Sequence, residues 1–296
     1  MKIENGGPLY AIGAFLLWGL SPIYFRAMAS ASSVEIVAHR IVWSVLFIAF
    51  LLTVFRRLAV IGQILTTPRL LLILLLTGSA VGLNWILFVW SSNNGYLLQS
   101  SLGYYINPLV NVVLGVLFLN ERHGRWQWLA VAVATLGVLN MVFLAGQVPW
   151  ISLGLACSFG AYGIIRKVIP VGALEGLFVE TLIFAPIALA YLIWLGTDGS
   201  GQFTRAWPIS ALLMLSGIIT AIPLMSFAAA VKKMRLGTLG FFQFITPTCH
   251  FVLGVFFFGE TFTPAHLITF SLIWVAAGLY SWAGFRDHRR DGAAID

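Results

Sequence analysis

Apolar residues run almost unbroken through ten stretches of this 296-residue chain, at about 8–29, 34–55, 70–92, 97–119, 126–145, 149–166, 173–195, 207–231, 236–258 and 263–284. Each is close to the ~20 residues that cross a ~30 Å hydrocarbon core as a helix. The runs are continuously apolar rather than alternating in segments of about ten residues, so helices are expected and a barrel is not. The pattern predicts an all-α integral membrane protein with ten transmembrane helices.

Two of the runs share an awkward interior. Residues 104–121 read YYINPLVNVVLGVLFLNE, and residues 243–260 read QFITPTCHFVLGVFFFGE. At that offset Gly78 meets Gly217, Pro108 meets Pro247, Gly115 meets Gly254 and Glu121 meets Glu260. One or two positions further along, Glu35 meets Glu175, Gly19 meets Gly160 and Arg26 meets Lys167. Spans 1–5 therefore match spans 6–10, as two repeats over 1–147 and 148–296. An odd number of spans per repeat inverts the second half relative to the first. Loop charges agree: NNGY at 93–96 is uncharged while its counterpart KKMR at 232–235 is basic. Inverted repeats of this kind build alternating-access transporters with a midplane site between the halves.

Composition narrows the class further. Hydrophobic residues make up 60% and charged residues 9%, against about 25% charged in soluble domains. The net charge of +7 is an orientation signal rather than a nucleic-acid signal. With the N-terminus inside, inner loops and tails take 14 of the 17 Lys and Arg, outer loops take Arg205, and Arg26 and Arg40 lie within spans. The positive-inside rule then puts both termini in the cytoplasm, as expected for a bacterial inner-membrane protein. AMAS at 27–30 resembles a signal-peptidase site, but the preceding run is too long for a signal segment and Arg26 interrupts it, so the first span is read as retained. Cys157 and Cys249 both fall inside spans and read as small apolar residues. No GxSxG, HExxH or P-loop occurs, so neither an enzyme nor a self-contained ATP-driven pump is expected, and no cofactor or metal.

Candidate binding residues follow helical spacing. Tyr104, Asn107, Asn111 and Gly115 share one face of span 4, and Gln243, Thr246, His250 and Gly254 share one face of span 9. Pro108 and Pro247 each free the carbonyl one turn earlier, which needs a partner in lipid. Neutral amides and hydroxyls there suit a small polar or zwitterionic solute; the alternative is helix–helix glue. The two stripes are expected to face one another. Asn84 stands where the second half has Pro223, and Trp18 and Tyr162 are candidate aromatic walls. The pairs Gly78/Gly82 and Gly172/Gly176 have GxxxG spacing and read as close helix contacts. Two charges lie within spans at equivalent positions, Arg40 and Glu180. Each is a candidate for proton coupling or for a gate, and His250 and His39 are further candidate proton sites.

HRIVWS at 39–44, SLGYYINPLVNVVLGVLFLNER at 101–122 and LGFFQFITPT at 239–248 resemble the RarD branch of the drug/metabolite transporter superfamily, the EamA-type permeases. The resemblance implies ten helices around a cavity built from spans 1, 3, 4, 6, 8 and 9, with exporters common among relatives. Tyr104, Asn107, Asn111 and Gln243 match the family's residue types, whereas Thr246 and His250 stand where a glycine and an apolar residue are expected. The expected function is a secondary-active permease exporting a small polar or amphipathic metabolite. The rivals are an uptake permease or exchanger, a lipid or lipid-head-group flippase, and a non-transporting scaffold. Partners would be a small-molecule substrate and membrane lipid, with no nucleic acid, and proton coupling, monomer and homodimer all remain open.

Overall fold

The computed structural model describes residues 6–120, 124–144, 146, 148–233 and 242–293. Lys2, Glu121, Arg122 and Arg235 lie outside the described residues, and so does the start of the ninth run. Among the described residues every regular element is helical. In chain order the elements are α1 (Gly7–Arg26), α2 (Ser33–Val54), α3 (Leu58–Leu65), α4 (Pro68–Asn93), α5 (Leu97–Leu119), α6 (Arg125–Leu144), α7 (Trp150–Val168), α8 (Ala173–Asp198), α9 (Trp207–Lys233), α10 (Ile245–Val252) and α11 (Pro264–Ala293). A π-helical turn, Leu253–Phe257, continues α10.

Local chemistry places the helix ends. The Ser32 hydroxyl accepts from Glu35 N at 3.1 Å and caps α2, satisfying one of the donors a helix start leaves unpaired. Proline sits in the first turn of α4 and begins α11, where its missing N–H costs nothing. Asn120 ends α5 and Gly199 ends α8 in the left-handed region, at φ +53° and +72°, the conformations these two residue types tolerate best.

Eight of these helices are long and apolar enough to cross a membrane. The ten expected spans resolve into those eight and two shorter apolar helices, Trp150–Arg166 and Ile245–Phe257. The shorter ones are the sixth and ninth runs, both within 148–296. Large apolar side chains such as Leu83, Phe143, Ile187 and Trp207 are exposed on the flanks, which water would not tolerate on this scale. The chain is a multi-pass membrane protein.

The strongest packings are α6 on α11, α5 on α7, α2 on α8 and α9, α1 on α9 and α10, α4 on α7 and α8, and α10 on α5. Loops 27–32, 94–96 and 199–206 and the turn after α10 meet at one end of the bundle. Phe25, Met28, Phe88, Leu97, Ile151, Leu213 and Leu253 form the apolar core there. At the opposite end, α3 tucks Ile61 and Ile64 against Ile48, Leu52, Leu74 and Leu177.

Candidate functional site

The polar residues of α4, α5 and α7 are joined in the middle of this apolar bundle. Asn84 donates to Leu155 O at 3.1 Å and to Ser158 Oγ at 2.9 Å, while Tyr104 OH donates to Asn84 Oδ1 at 3.4 Å. One turn along α5, Asn107 donates to Ala156 O at 3.3 Å, and Asn111 Nδ2 donates to Asn107 Oδ1 at 3.0 Å. Asn84 and Asn107 are fully buried, whereas Asn111 is exposed at the edge of the cluster. Pro108 lies inside α5, on the turn that separates Tyr104 from Asn111. The helix stays continuous.

On the α10 side, His250 is 1% exposed, with Nε2 at 3.2 Å from Trp18 O. Its ring stacks on Phe88 at 5.1 Å between centroids and lies 5.6 Å from Tyr104. Thr246 donates to Phe15 O at 2.8 Å. Gln243 is half-buried in the turn before α10, and Pro247 falls in the first helical turn. The two stripes meet through the Tyr104 and His250 rings but do not face one another along their length as the spacing suggests. Asn107 and Asn111 turn to α7, while Thr246 and His250 turn to α1. α5 and α10 meet instead through Ser101, which donates to Pro247 O at 2.7 Å, and through Tyr105 and Thr248, whose hydroxyls are 2.7 Å apart. Beside the stripes the rings run Phe88, Tyr104, Phe159 and Tyr162 in succession, while the Trp18 ring packs on Phe15 and Phe227.

Both intramembrane charges are buried, and they are not paired with each other. The Arg40 guanidinium lies 4.1 Å over the Trp85 ring and donates through Nε to Thr220 Oγ1 at 2.6 Å. Glu180 Oε1 accepts from Thr77 at 2.7 Å and faces Arg166 Nε at 3.9 Å, and Tyr162 OH is 3.5 Å from Oε2. Arg166 therefore differs from its expected place in an inner loop. It belongs to α7, its side chain is 11% exposed, and it also donates to Gly172 O at 2.8 Å. Arg166 closes the sixth apolar run and reads with the inner-loop bases that follow it, whereas α7 continues to Val168. The glycine pairs differ too. A Cβ at Gly78 would lie 2.8 Å from Phe184 of α8, so that residue does serve a helix contact. A Cβ at Gly176 would lie 1.9 Å from Arg166 Nη1, so Gly176 makes room for a guanidinium rather than for a helix. A Cβ at Gly82 would meet nothing within 4 Å, and Gly82 lines a cleft.

That cleft, of about 320 Å³, opens between α2, α4 and α8. Its walls are apolar, with Glu180 and Thr181 as the polar members and exposed Leu83 and Ser79 at its rim. A second, of about 520 Å³, lies at the opposite end among Phe55, Arg57, Glu175, Leu224 and Met225. Both cysteines are free, and no group of three or more His, Cys, Asp or Glu side chains is placed to hold a metal among the described residues.

Comparison with known proteins agrees with this picture. The profile of the EamA-like transporter family matches residues 5–143. An uncharacterized transporter of Vibrio cholerae is 46% identical over 281 residues, covering 95% of this chain and 93% of the relative. Protein RarD of Escherichia coli K12 is 40% identical, with 98% of each chain covered. The chloramphenicol-sensitive protein RarD of Pseudomonas aeruginosa is 33% identical, with 97% of each covered. One solved crystal structure superposes with a TM-score of 0.62 at 16% identity, covering 94% of this chain and 98% of the other; that likeness concerns the fold alone.

Proposed function

This chain belongs to the EamA-like transporter family, alongside the RarD proteins, and from that premise we propose a secondary-active permease that exports a small polar or amphipathic metabolite by alternating access. The carrying observation is the hydrogen-bonded chain Tyr104–Asn84–Ser158 inside an apolar bundle, with Asn107 beside it, Asn111 at its exposed edge and a box of aromatic rings next to it. Neutral donors and acceptors held there suit a solute that must shed water on one side and regain it on the other. Trp18, Tyr162, Gln243, Thr246 and His250 complete the proposed lining.

The packing supports the inverted-repeat reading. Gly19 approaches Cys249 as Gly160 approaches Val110, and those two contacts map onto each other when the halves are exchanged. Likewise Gly78 packs on α8 while Gly217 packs on the backbone of α2 at Trp43. Arg40 of α2 bonds a threonine of α9, and Glu180 of α8 bonds a threonine of α4. In this reading all ten apolar runs cross a bacterial inner membrane, and the basic loops put both termini in the cytoplasm.

The test is solute flux into proteoliposomes across a metabolite panel, with and without a pH gradient. Chloramphenicol goes first on the panel, because a relative's name carries it. Flux of at least one solute is expected, and its absence for every solute overturns the permease. Proton coupling is proposed at Glu180: Glu180→Gln is expected to abolish the response to a pH gradient, and wild-type flux indifferent to that gradient removes the role. The cleft on the α2–α4–α8 flank favours a second reading, in which the cargo is an amphipathic lipid entering sideways; a fluorescent-lipid scrambling assay separates the two.

A further inference from the structure

Glu35 and Glu260 lie at the same end of the bundle, and each takes two successive backbone N–H groups from the other half of the chain. Glu260 accepts from Leu97 N at 2.6 Å and Leu98 N at 2.8 Å, in the opening turn of α5. Glu35 accepts through Oε1 from Gln202 N at 2.6 Å and Phe203 N at 3.3 Å, in the loop before α9. Bonds from N–H groups to an ionised carboxylate are about twice as strong as neutral ones.

The local structure is arranged around these bonds. After the π-helical turn, Gly259 takes φ +66° and Glu260 N bonds Gly254 O at 2.9 Å, which returns the carboxylate to α5. Ser32 and Glu35 have capping-box spacing. The serine half of the box forms, but the glutamate leaves its own helix start to hold the α8–α9 loop. Glu35 is 3% exposed. Around the two carboxylates, Tyr24 donates to Leu212 O, Ser152 donates to Gln99 O at 2.7 Å, and Arg26 lies 4.1 Å over the Phe258 ring. The opposite end is held differently. There Arg57 reaches Glu175 at 2.8 Å with the arginine side chain 54% exposed, beside the 520 Å³ cleft.

We infer that Glu35 and Glu260 are paired clasps that keep the 27–32 end of the protein closed, and that releasing them lets that end part. The inference deepens the alternating-access reading and rests on it, by naming the groups that hold one of its two states. Replacing Glu260 by glutamine leaves one accepting oxygen and turns an NH₂ toward a backbone donor of α5, whereas Glu35→Gln keeps an oxygen for Gln202 and Phe203 but removes the charge that strengthens both bonds.

The full chain carries the test, with Cys157→Ser and Cys249→Ser as background. Spin labels go on the exposed positions Asn94→Cys with Thr261→Cys, and on Ser30→Cys with Thr204→Cys, with Thr66→Cys and Val168→Cys reporting the opposite end. Distances are read by double electron–electron resonance in nanodiscs. Glu35→Gln with Glu260→Gln is expected to lengthen both pairs at the 27–32 end by about 5 Å, the scale of one helical turn, and to shorten the opposite pair. Unchanged distances in a monodisperse protein overturn the clasp. If the amide variants do not yield monodisperse protein, Glu35→Asp and Glu260→Asp, which retract the carboxylate by one methylene, are read by the same criterion. Flux measured on the same samples keeps the two ideas apart: altered distances without flux in any variant retain the clasp and reject the permease, and flux with unaltered distances does the reverse.

Discussion

Gly217 has no room for a methyl group, because its Cβ would lie 2.5 Å from the backbone carbonyl of Trp43. Backbone cannot swing aside as a side-chain tip can, so α2 and α9 would have to separate. Gly217→Ala is expected to cost about 1–3 kcal/mol, the usual range for overpacking, and to lower the thermal midpoint of the detergent-solubilised protein. Gly82→Ala is the matched control. Nothing lies within 4 Å of its Cβ, and alanine gains up to ~1 kcal/mol in helix propensity over glycine, so the midpoint should hold or rise. At this scale Arg166 marks where sequence reading stops. Glu180 stands out as a charge inside an apolar run, but its partner was assigned to a loop, because only the folded path of α7 brings a guanidinium back past Gly176.

Among the elements, long apolar runs were legible and short or irregular ones were not. A run of about 20 apolar residues has one economical solution in lipid, so eight helices fall where the runs do. The eight residues of α3 sit between Arg57 and Thr66, too few to announce themselves by length; they are identified by burying Ile61 and Ile64. The π-helical turn after α10 left no mark at all, since Leu253–Phe257 reads simply as apolar. The pair α6 and α11 gives a test at this scale. Asn140 donates to Ala265 O at 2.9 Å and Thr269 Oγ1 at 2.8 Å, and Thr269 donates to Gly137 O at 3.1 Å. Asn140→Leu should weaken this pair by about 1 kcal/mol, as expected for an interhelical bond in a membrane. It should lower the thermal midpoint while flux per folded molecule stays within twofold, because neither helix contributes to the proposed lining.

At the level of the whole molecule, residues 1–147 and 148–296 do not stand side by side. The largest packings join a helix of 1–147 to one of 148–296: α6 to α11, α5 to α7, α2 to α8 and α9, and α1 to α9. Each half leaves its own helices mostly unpacked against each other. Expressed alone, either half is therefore expected to be degraded. Expressed together from separate genes, the two should co-purify as one complex that restores the polar cluster, checked by pull-down of one tagged half with the other. Recovery of a stable single half would show that the interleaving is not needed for folding. The repeated sequence pattern suggested two matching halves, but nothing in it announced the degree of interleaving. That is a property of tertiary packing, and the glycines at 19, 78, 160 and 217 report it only once their neighbours are known.

The π-helical turn at Leu253–Phe257 can also be regarded mechanically, as slack. It spends one more residue per turn than an α-helix needs, at the point where α10 runs on toward Glu260. Rewinding that residue into α pitch would turn everything beyond it through about 100° and push it along the axis by about 1.5 Å. A change of pitch over a single turn is thus enough to swing Glu260 off the start of α5, with every helix axis left where it is.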